Sequence, residues 1–178
     1  LDGKIITYHE NGQIRGEEYY KEGKEVGMWT SYNKNGSKDG KWATYSKTGQ
    51  LEREENYIDG NYDGRWISYY PNGLIEKQGN FKDGKEEGKW ITYYENGQTK
   101  REEKYNNGNK HGKWISYYEN GQLLKETNFK DGKEDGTWTT YYENGKIEKQ
   151  ANFKDGKEDA KWTTYYDNGQ IEKEEHYK

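Results

Sequence analysis

The sequence contains no cysteine, a single proline (Pro71) and no long apolar segment. Without cysteine, the protein forms neither disulfides nor thiolate metal sites. No apolar run approaches the roughly 20 residues that a membrane-spanning helix needs, so we predict no integral membrane segment. Turn-forming residues interrupt every stretch long enough for a helix, and the sequence therefore predicts no helix.

The charges nearly balance: 35% of the residues are charged, but the net charge is only −4. Such a chain offers no basic surface to a polyanion, so we predict no nucleic-acid partner. Aromatic residues make up 16% of the chain. Because large rings bury much surface, they can stabilise a fold that has few aliphatic side chains. The composition indicates a folded protein without a deep globular core.

One segment returns throughout the chain, and its tryptophan recurs with a 24-residue period. The tryptophans in this series are Trp42, Trp66, Trp90, Trp114, Trp138 and Trp162. The segment is clearest as GKWITYYENG in Gly88–Gly97 and GKWISYYENG in Gly112–Gly121. A fixed period of this length is typical of stacked structural units. We predict one repeat array over residues 1–178 with eight units.

Each unit has the composition of a β-hairpin. The stretch from Trp to Asn-Gly is rich in Trp, Tyr, Ile and Thr, as strands are. Asn-Gly is the preferred pair of a two-residue type I′ turn. A second strand such as Ile147–Phe153 follows, and a pair such as Asp131-Gly132 turns the chain into the next hairpin. The predicted fold is all-β: an elongated single antiparallel sheet of successive hairpins with a 24-residue period, solenoid-like.

A two-residue turn fixes which residues face each other. The predicted pairs are Tyr94 with Thr99, Thr92 with Arg101, and Trp90 with Glu103. The face that carries the tryptophans, here called the Trp face, is the predicted core face. The opposite face, here called the Tyr face, carries Ile91, Tyr93, Lys100 and Glu102. A β-bulge between the Trp and the Tyr pair would overturn half of this assignment.

The second unit, at about 27–40, is truncated. Trp29 and Trp42 lie closer together than one full period, and the shortfall is 24 − 13 = 11 positions. This length is close to one return strand and its loop. If the chain is continuous, we expect a break or kink in the sheet between Asn35 and Trp42. The alternative is that a segment is missing from the sequence there.

The pattern Gly-x-Trp-x-x-Tyr-Tyr-x-Asn-Gly, followed by an aromatic residue and Asp-Gly, resembles the bacterial variant of the MORN repeat. The resemblance runs from Gly3 to Tyr177. It implies a curled antiparallel sheet of hairpins and a scaffold without shared chemistry. Proteins with this variant include YwqK-type antitoxins and exported or surface proteins. The commoner MORN pattern has a His-Gly pair after the Trp, which is absent here, so the family's association with lipid transfers poorly.

The sequence provides little for catalysis or metal binding. His9, His111 and His176 lie in different units, and none has a partner at ligand spacing. The loop that begins at Asp59 reads DGNYDG, like the first half of a calcium loop, but Tyr70 stands where a bidentate Glu is needed. Turn chemistry accounts for this loop. We predict no catalytic residue, no cofactor and no metal.

The candidate functional residues form a column of tyrosines, one from each of the last five units. They are Tyr69, Tyr93, Tyr117, Tyr141 and Tyr165. The predicted register places them on the Tyr face. Tyrosine is favoured at interfaces because it has an apolar body and a polar tip. The alternative is a structural column that stacks between units and rigidifies the sheet.

These features predict a non-enzymatic repeat scaffold for protein–protein recognition. Three forms stay open: a surface or exported interaction module, a cytoplasmic antitoxin that neutralises a partner toxin, and a structural spacer. The predicted partner is a protein of unknown identity, and exposed sheet ends also allow a homo-oligomer. Localisation stays open. The abundance of Lys, Asn, Glu, Ile and Tyr indicates an AT-rich, bacterial genome.

Overall fold

The computed structural model describes residues 2–25, 30–159 and 161–176, so Trp29 and Tyr177 lie outside the described residues. All regular structure in the described residues is β-strand, and successive strands pair antiparallel. The predicted all-β fold of successive hairpins is confirmed. None of these residues forms a helix long and apolar enough to cross a membrane. The chain divides into two compact units, residues 1–86 (unit 1) and residues 87–178 (unit 2).

Unit 1 contains two antiparallel sheets. Its strands are β1 (Gly3–Tyr8), β2 (Ile14–Lys21), β3 (Lys24–Glu25), β4 (Thr30–Ser31), β5 (Gly40–Tyr45), β6 (Leu51–Ile58), β7 (Asn61–Tyr62), β8 (Gly64–Tyr69) and β9 (Ile75–Lys82). In the first sheet β2 pairs with β1, β3 and β4. The second sheet has the order β5-β6-β8-β9, and the short β7 pairs with β6.

Unit 2 continues the same hairpin pattern. β10 (Lys85–Tyr93) begins just before the division of the chain. The later strands are β11 (Thr99–Asn106), β12 (Asn109–Lys110), β13 (Gly112–Tyr117), β14 (Leu123–Lys130), β15 (Lys133–Tyr141), β16 (Ile147–Lys154), β17 (Lys157–Glu158), β18 (Lys161–Tyr165) and β19 (Ile171–His176). The strand order is β10-β11-β13-β14-β15-β16-β18-β19, with β12 on β11 and β17 on β16.

The two sheets of unit 1 meet at the short second repeat. The turn after β4 closes normally, because the Asn33 amide donates to the Ser37 carbonyl at 2.9 Å. Its return segment makes only an isolated bridge, between Tyr32 and Lys38, before β5 begins. The first sheet therefore stops here and a new sheet starts. The division of the whole chain into eight units, the second truncated, stays a prediction.

The Asn-Gly pairs that follow the Trp-containing strands form three-residue loops, so the predicted type I′ turn at these tips was wrong. The Gly97 amide donates to the Tyr94 carbonyl at 2.9 Å, and the Tyr94 amide to the Gln98 carbonyl at 2.8 Å. Gly97 has φ 85°, whereas no Asn of these pairs is among the described residues with positive φ. This is a type I turn completed by a left-handed glycine. The Asn96 side-chain oxygen accepts the Gln98 amide at 2.9 Å, which explains the asparagine.

The Asp-Gly pairs, by contrast, form the two-residue turns. Asp59 and Gly60 have φ 48° and 86°, and Ile58 pairs with Asn61 across them. Positive φ at both central residues is the signature of a type I′ turn. The same geometry recurs at Glu22-Gly23, Asp83-Gly84, Asn107-Gly108, Asp131-Gly132 and Asp155-Gly156. The prediction that Asp-Gly reverses the chain is confirmed.

A β-bulge interrupts the pairing close to each Asn-Gly tip. In the hairpin of β10 and β11, Thr99 pairs with Tyr93 and not with Tyr94, so this predicted pair was wrong. Lys100 is the extra residue that makes the shift. Compared with a two-residue turn, the three-residue loop shifts the strand register by one residue. The bulge reverses this shift.

Beyond the bulge the predicted register is confirmed. Trp90 pairs with Glu103 and Thr92 pairs with Arg101. The same shift is found one residue before the end of the first strand in the other regular hairpins, from β1–β2 to β18–β19. The assignment of residues to the Trp face therefore holds for the paired part of each hairpin.

Burial is divided between both faces. On the Trp face, Trp90 is 1% exposed. The prediction that the Trp face alone is the core needs correction, because the Tyr face buries Ile67 to 3% exposure and Thr139 to 4%. Both residues occupy the position just after the tryptophan. A single sheet layer has no second layer to cover it, so neighbouring side chains on each face cover one another.

Rings on the Trp face contact one another along each unit. In unit 1 the centroid distances are 5.6 Å for Trp42–Tyr57, 4.7 Å for Tyr57–Tyr62 and 4.9 Å for Tyr62–Phe81. In unit 2, Trp114 lies 5.2 Å from Tyr105 and 5.1 Å from Phe129. Each distance is within the range of favourable aromatic pairs. These contacts tie successive hairpins together within each unit.

Candidate functional site

The five candidate tyrosines occupy equivalent places in the structure. Tyr69, Tyr93, Tyr117, Tyr141 and Tyr165 are the last residues of β8, β10, β13, β15 and β18. All five are half-buried. Each therefore keeps part of its ring accessible at the end of a strand, next to the β-bulge.

Two hydroxyl groups of the column reach the preceding return strand on the Tyr face. The Tyr69 hydroxyl donates to the Glu54 carboxylate at 2.6 Å, and the Tyr141 hydroxyl to the Glu126 carboxylate at 3.0 Å. Glu54 is the cross-strand partner of Ile67, so the Tyr69 side chain crosses from β8 to β6 beside Ile67. These bonds place the tyrosines on the predicted face and show that the column also links strands.

The environment of the column favours neutral tyrosine. Burial, with the hydrogen bond to Glu54, raises the pKa of Tyr69 to about 12. Burial and the bond to Glu126 likewise raise the pKa of Tyr141. Burial acts to raise the pKa of Glu126, but hydrogen bonds from Lys113 and Tyr141 outweigh it and hold that pKa below its usual value. The acceptor is thus ionised and the donor neutral at physiological pH.

We expect the stability of the protein to fall as pH rises from about 10 through about 12. A group with a raised folded pKa stabilises the fold below its unfolded pKa, here 10.0, and loses that contribution through the folded value, about 12 for Tyr69. Urea midpoints across this pH range, with tyrosinate absorbance followed in parallel, measure the effect. Tyr69→Phe should make the alkaline loss smaller. A midpoint that does not change between pH 9 and pH 12 would contradict this account.

The second tyrosine of each Tyr-Tyr pair connects one hairpin to the next. In unit 2 the hydroxyls of Tyr94, Tyr118 and Tyr142 donate to the carbonyls of Tyr117, Tyr141 and Tyr165 at 2.7, 2.7 and 2.6 Å. In unit 1, His9 takes this role and bonds the Tyr32 carbonyl at 2.8 Å. The acceptor is always the carbonyl of a first tyrosine of the pair. Sequence analysis missed this connection, although the constant spacing of the Tyr-Tyr pairs within the chain was its signal.

The remaining histidines do not converge. His111 lies in the loop between β12 and β13, and His176 is the last residue of β19. The described residues contain no group of three or more His, Asp or Glu side chains that could hold a metal ion. The prediction of no metal and no catalytic residue stays a prediction.

The loop that resembles half a calcium site uses its acids in local hydrogen bonds. The Asn33 side-chain amide donates to the Asp59 carboxylate at 2.6 Å, and the Asp83 amide donates to the Asp63 carboxylate at 3.1 Å. Asp59 is also the first residue of a type I′ turn. These roles are those of turn residues.

Glu55 is a buried carboxylate on the Trp face. It is 5% exposed and accepts hydrogen bonds from Arg53 at 3.1 Å, Tyr57 at 2.8 Å and Tyr62 at 3.2 Å. Burial, with the bonds to Tyr62 and Glu55, raises the pKa of Tyr57. The signal for the burial of Glu55 was its position opposite Trp42 in the hairpin.

A family model described as the MORN repeat variant matches seven segments of the chain. They are residues 1–22, 38–59, 62–83, 86–107, 110–131, 134–155 and 158–178. The gap between the first two matches, residues 23–37, contains most of the short unit. No curated protein is similar enough to count as a match.

Two solved structures share weak similarity with the chain. A chain in the crystal structure of TcdB2-TccC3-Cdc42 is 14% identical over 97% of this chain, with a TM-score of 0.24. A chain in the crystal structure of TcdB2-TccC3-TEV is 14% identical over 93%, also with a TM-score of 0.24. This chain covers only 14% and 13% of theirs. At such TM-scores the similarity carries no argument about this protein.

Proposed function

Because the chain belongs to the MORN repeat variant family, whose repeats are non-catalytic scaffolds of protein or membrane interaction, we propose that it is a scaffold that recognises another protein. The observation that supports this most is the tyrosine column. Each hairpin from β8 onward presents a half-buried tyrosine at the same place, the end of its first strand.

Two tyrosines of the column are held in position before any partner binds. The hydrogen bonds of Tyr69 to Glu54 and of Tyr141 to Glu126 restrict the rings while leaving part of each accessible. A side chain that is already restrained loses less conformational entropy on binding. Tyrosine is also one of the residues that most often dominate the binding energy of interfaces. The column therefore has the properties of a row of binding anchors.

The charges on the Tyr face favour a protein over an anionic membrane. In unit 2, Lys89 pairs with Glu102 at 3.0 Å and Lys113 pairs with Glu126 at 2.5 Å. Paired lysines attract anionic lipid weakly, because each is already neutralised by its neighbour. Equivalent tyrosines repeat at two strand spacings, about 10 Å. Such a surface suits a long or repetitive protein segment better than a small ligand.

The test is a double substitution, Tyr93→Ser with Tyr117→Ser. Proteins that bind the immobilised wild-type chain are identified by mass spectrometry, purified and titrated against each variant. We expect the double variant to bind about tenfold or more weakly, a loss of about 1–2 kcal/mol. The matched control, Tyr93→Phe with Tyr117→Phe, keeps the rings and should retain most of the affinity.

Two results would contradict the proposal. One is an unchanged affinity in a double variant that is folded by circular dichroism. The other is unfolding of the double variant under conditions in which the wild type is folded, which would make the column purely structural. The bound protein also separates the finer forms of the function: a toxin would indicate an antitoxin, an extracellular protein a surface module, and no partner at all a structural spacer.

A further inference from the structure

Unit 2 has a cavity of about 270 Å³ on its Trp face, lined mainly by cations and rings. The cations are Arg101, Lys110 and Lys125, and the rings are those of Trp114 and Phe129. The Lys110 ammonium lies 4.5 Å from the Trp114 centroid and 4.9 Å from the Phe129 centroid. In a chain with net charge −4, a local excess of positive charge is unusual.

The positive charge of this cavity is only partly neutralised. Arg101 pairs with Glu103 at 3.2 Å, and Glu134 is the one acidic residue in the lining. The ion pairs in the described part of unit 2 include neither Lys110 nor Lys125. Burial lowers the pKa of Lys125; Glu134 opposes this, while Lys110 and Arg101 lower it further. An added anion would therefore relieve repulsion among these three cations.

Other repeats show what occupies the corresponding place. Ser68 and Thr140 donate their hydroxyl hydrogens to the carboxylates of Glu76 and Glu148, both at 3.0 Å. Two repeats lie between these and carry the equivalent hydroxyls of Thr92 and Ser116, of which Ser116 lines the cavity. The residue in the position of Glu76 and Glu148 is Lys100 in the repeat of Thr92 and Leu124 in the repeat of Ser116. This repeat thus keeps the hydroxyl and the cations but carries no carboxylate of its own at that position.

Unit 1 gives a second comparison. Lys110 stands where one repeat of unit 1 has Tyr62, a ring that stacks on Phe81. The repeat before it has Lys38 there, whose ammonium lies 4.0 Å from the Trp42 centroid and 4.5 Å from the Tyr57 centroid. Lys125 corresponds to Lys77, whose ammonium pairs with Glu86 at 3.6 Å. The counterpart of Glu86 is Glu134, which lines the cavity. The surface around Tyr62 therefore has one cation fewer than the cavity. The repeat of Lys38 keeps the lysine but carries Glu52 in the position of Leu124, so the lysine without that carboxylate distinguishes this cavity.

We propose that this cavity binds a carboxylate side chain from an acidic segment of a partner protein. The carboxylate accepts a hydrogen bond from the Ser116 hydroxyl, as the carboxylate of Glu148 does from Thr140. It also forms ion pairs with Arg101 and Lys125. Lys110 neutralises the second oxygen, and the Trp114 and Phe129 rings pack against the segment. The site rests on the proposed function only because its ligand is a protein segment; it uses the Trp face and none of the tyrosine column.

The probe is a blocked peptide, acetyl-EGYEGYEG-amide, titrated into the full chain by calorimetry and compared with acetyl-QGYQGYQG-amide. We expect the acidic peptide to bind at least about tenfold more tightly, because only it supplies the missing carboxylate. Acetate should displace it only at far higher concentration. Equal binding of the two peptides, or acetate as effective as the peptide, would overturn the proposal.

The decisive variant is Leu124→Glu, which supplies a carboxylate from the chain itself. We expect Leu124→Glu to lower the affinity for the acidic peptide at least about tenfold, whereas Leu124→Gln keeps the wild-type affinity. Glu is the residue that other repeats carry here, so the variant should fold, and circular dichroism verifies this. Lys110→Tyr, which introduces the residue that the repeat of Tyr62 carries here, should also weaken binding. Lys104→Gln removes an exposed charge from the other face and should have no effect.

The remaining results separate this site from other ligands and from the tyrosine column. Inorganic phosphate and phosphatidylserine vesicles are tested in the same way. If either binds more tightly than the peptide and loses this binding in Leu124→Glu, the cavity is a phosphate site and the proposal is overturned. Equal peptide affinity of wild type, Leu124→Glu and Leu124→Gln would also overturn it. Tyr93→Ser with Tyr117→Ser should bind the peptide normally, so failure here and failure of the proposed function are distinguishable.

Discussion

Trp90→Ala should lower the free energy of unfolding by about 3–5 kcal/mol, because truncating a buried aromatic side chain removes its burial and leaves a cavity. Trp90 is 1% exposed and is one of the largest fully buried side chains described. The chain provides a matched control in Trp114, which has nearly the same sequence around it but is half-buried. Trp114→Ala should cost about half as much.

Urea unfolding followed by circular dichroism and by tryptophan fluorescence measures both variants. Using two probes matters, because repeat proteins can unfold in parts. Equal losses for Trp90→Ala and Trp114→Ala would show that burial on the Trp face does not determine stability in the way argued here.

Glu55→Ala should lower the free energy of unfolding by about 3 kcal/mol. Removing one partner of a buried charged network leaves the others without an acceptor, which typically costs about 3–5 kcal/mol. The lower end applies because the Arg53 side chain is 49% exposed and can turn to water. Tyr57 is only 5% exposed, so its hydroxyl cannot turn to water when it loses the 2.8 Å hydrogen bond to Glu55.

Two further variants isolate the cause of this loss. Glu55→Gln keeps an acceptor oxygen and should cost less than Glu55→Ala. Glu52→Ala, at an exposed glutamate of the same strand, should change stability by no more than about 0.5 kcal/mol. If Glu55→Ala behaved like Glu52→Ala, the network around Glu55 would contribute nothing to the fold.

The fold was predictable from the sequence because its signals are local and repeated. The 24-residue recurrence of tryptophan and the Asp-Gly pairs give the hairpins, and φ 48° at Asp59 with φ 86° at Gly60 confirms the turn. The Asn-Gly turn was not predictable in the same way. Asn-Gly occurs in both two-residue and three-residue loops. Which loop forms depends on the β-bulge at Lys100, and a bulge leaves no mark in the sequence.

Side-chain partners were less predictable than strand positions. Alternation along a strand predicts that Tyr69 lies on the Tyr face. It does not predict that the Tyr69 hydroxyl donates to Glu54 on another strand. Alternation also places Glu55 on the Trp face, yet its burial depends on Tyr57 and Tyr62 covering it from outside. Leu124 is visible as a departure from the repeat. Its significance became apparent only through the contact of Thr140 with Glu148.

The most direct test of recognition through the Tyr face is hydroxyl-radical footprinting of the complex with the identified partner. Oxidation of Tyr69, Tyr93, Tyr117, Tyr141 and Tyr165 is measured by mass spectrometry with and without partner. Tyr62, half-buried on the Trp face, is the internal reference. The account predicts that the column tyrosines are protected several-fold more than Tyr62, most strongly at Tyr93 and Tyr117. Equal oxidation of the column in the free and bound protein would contradict it.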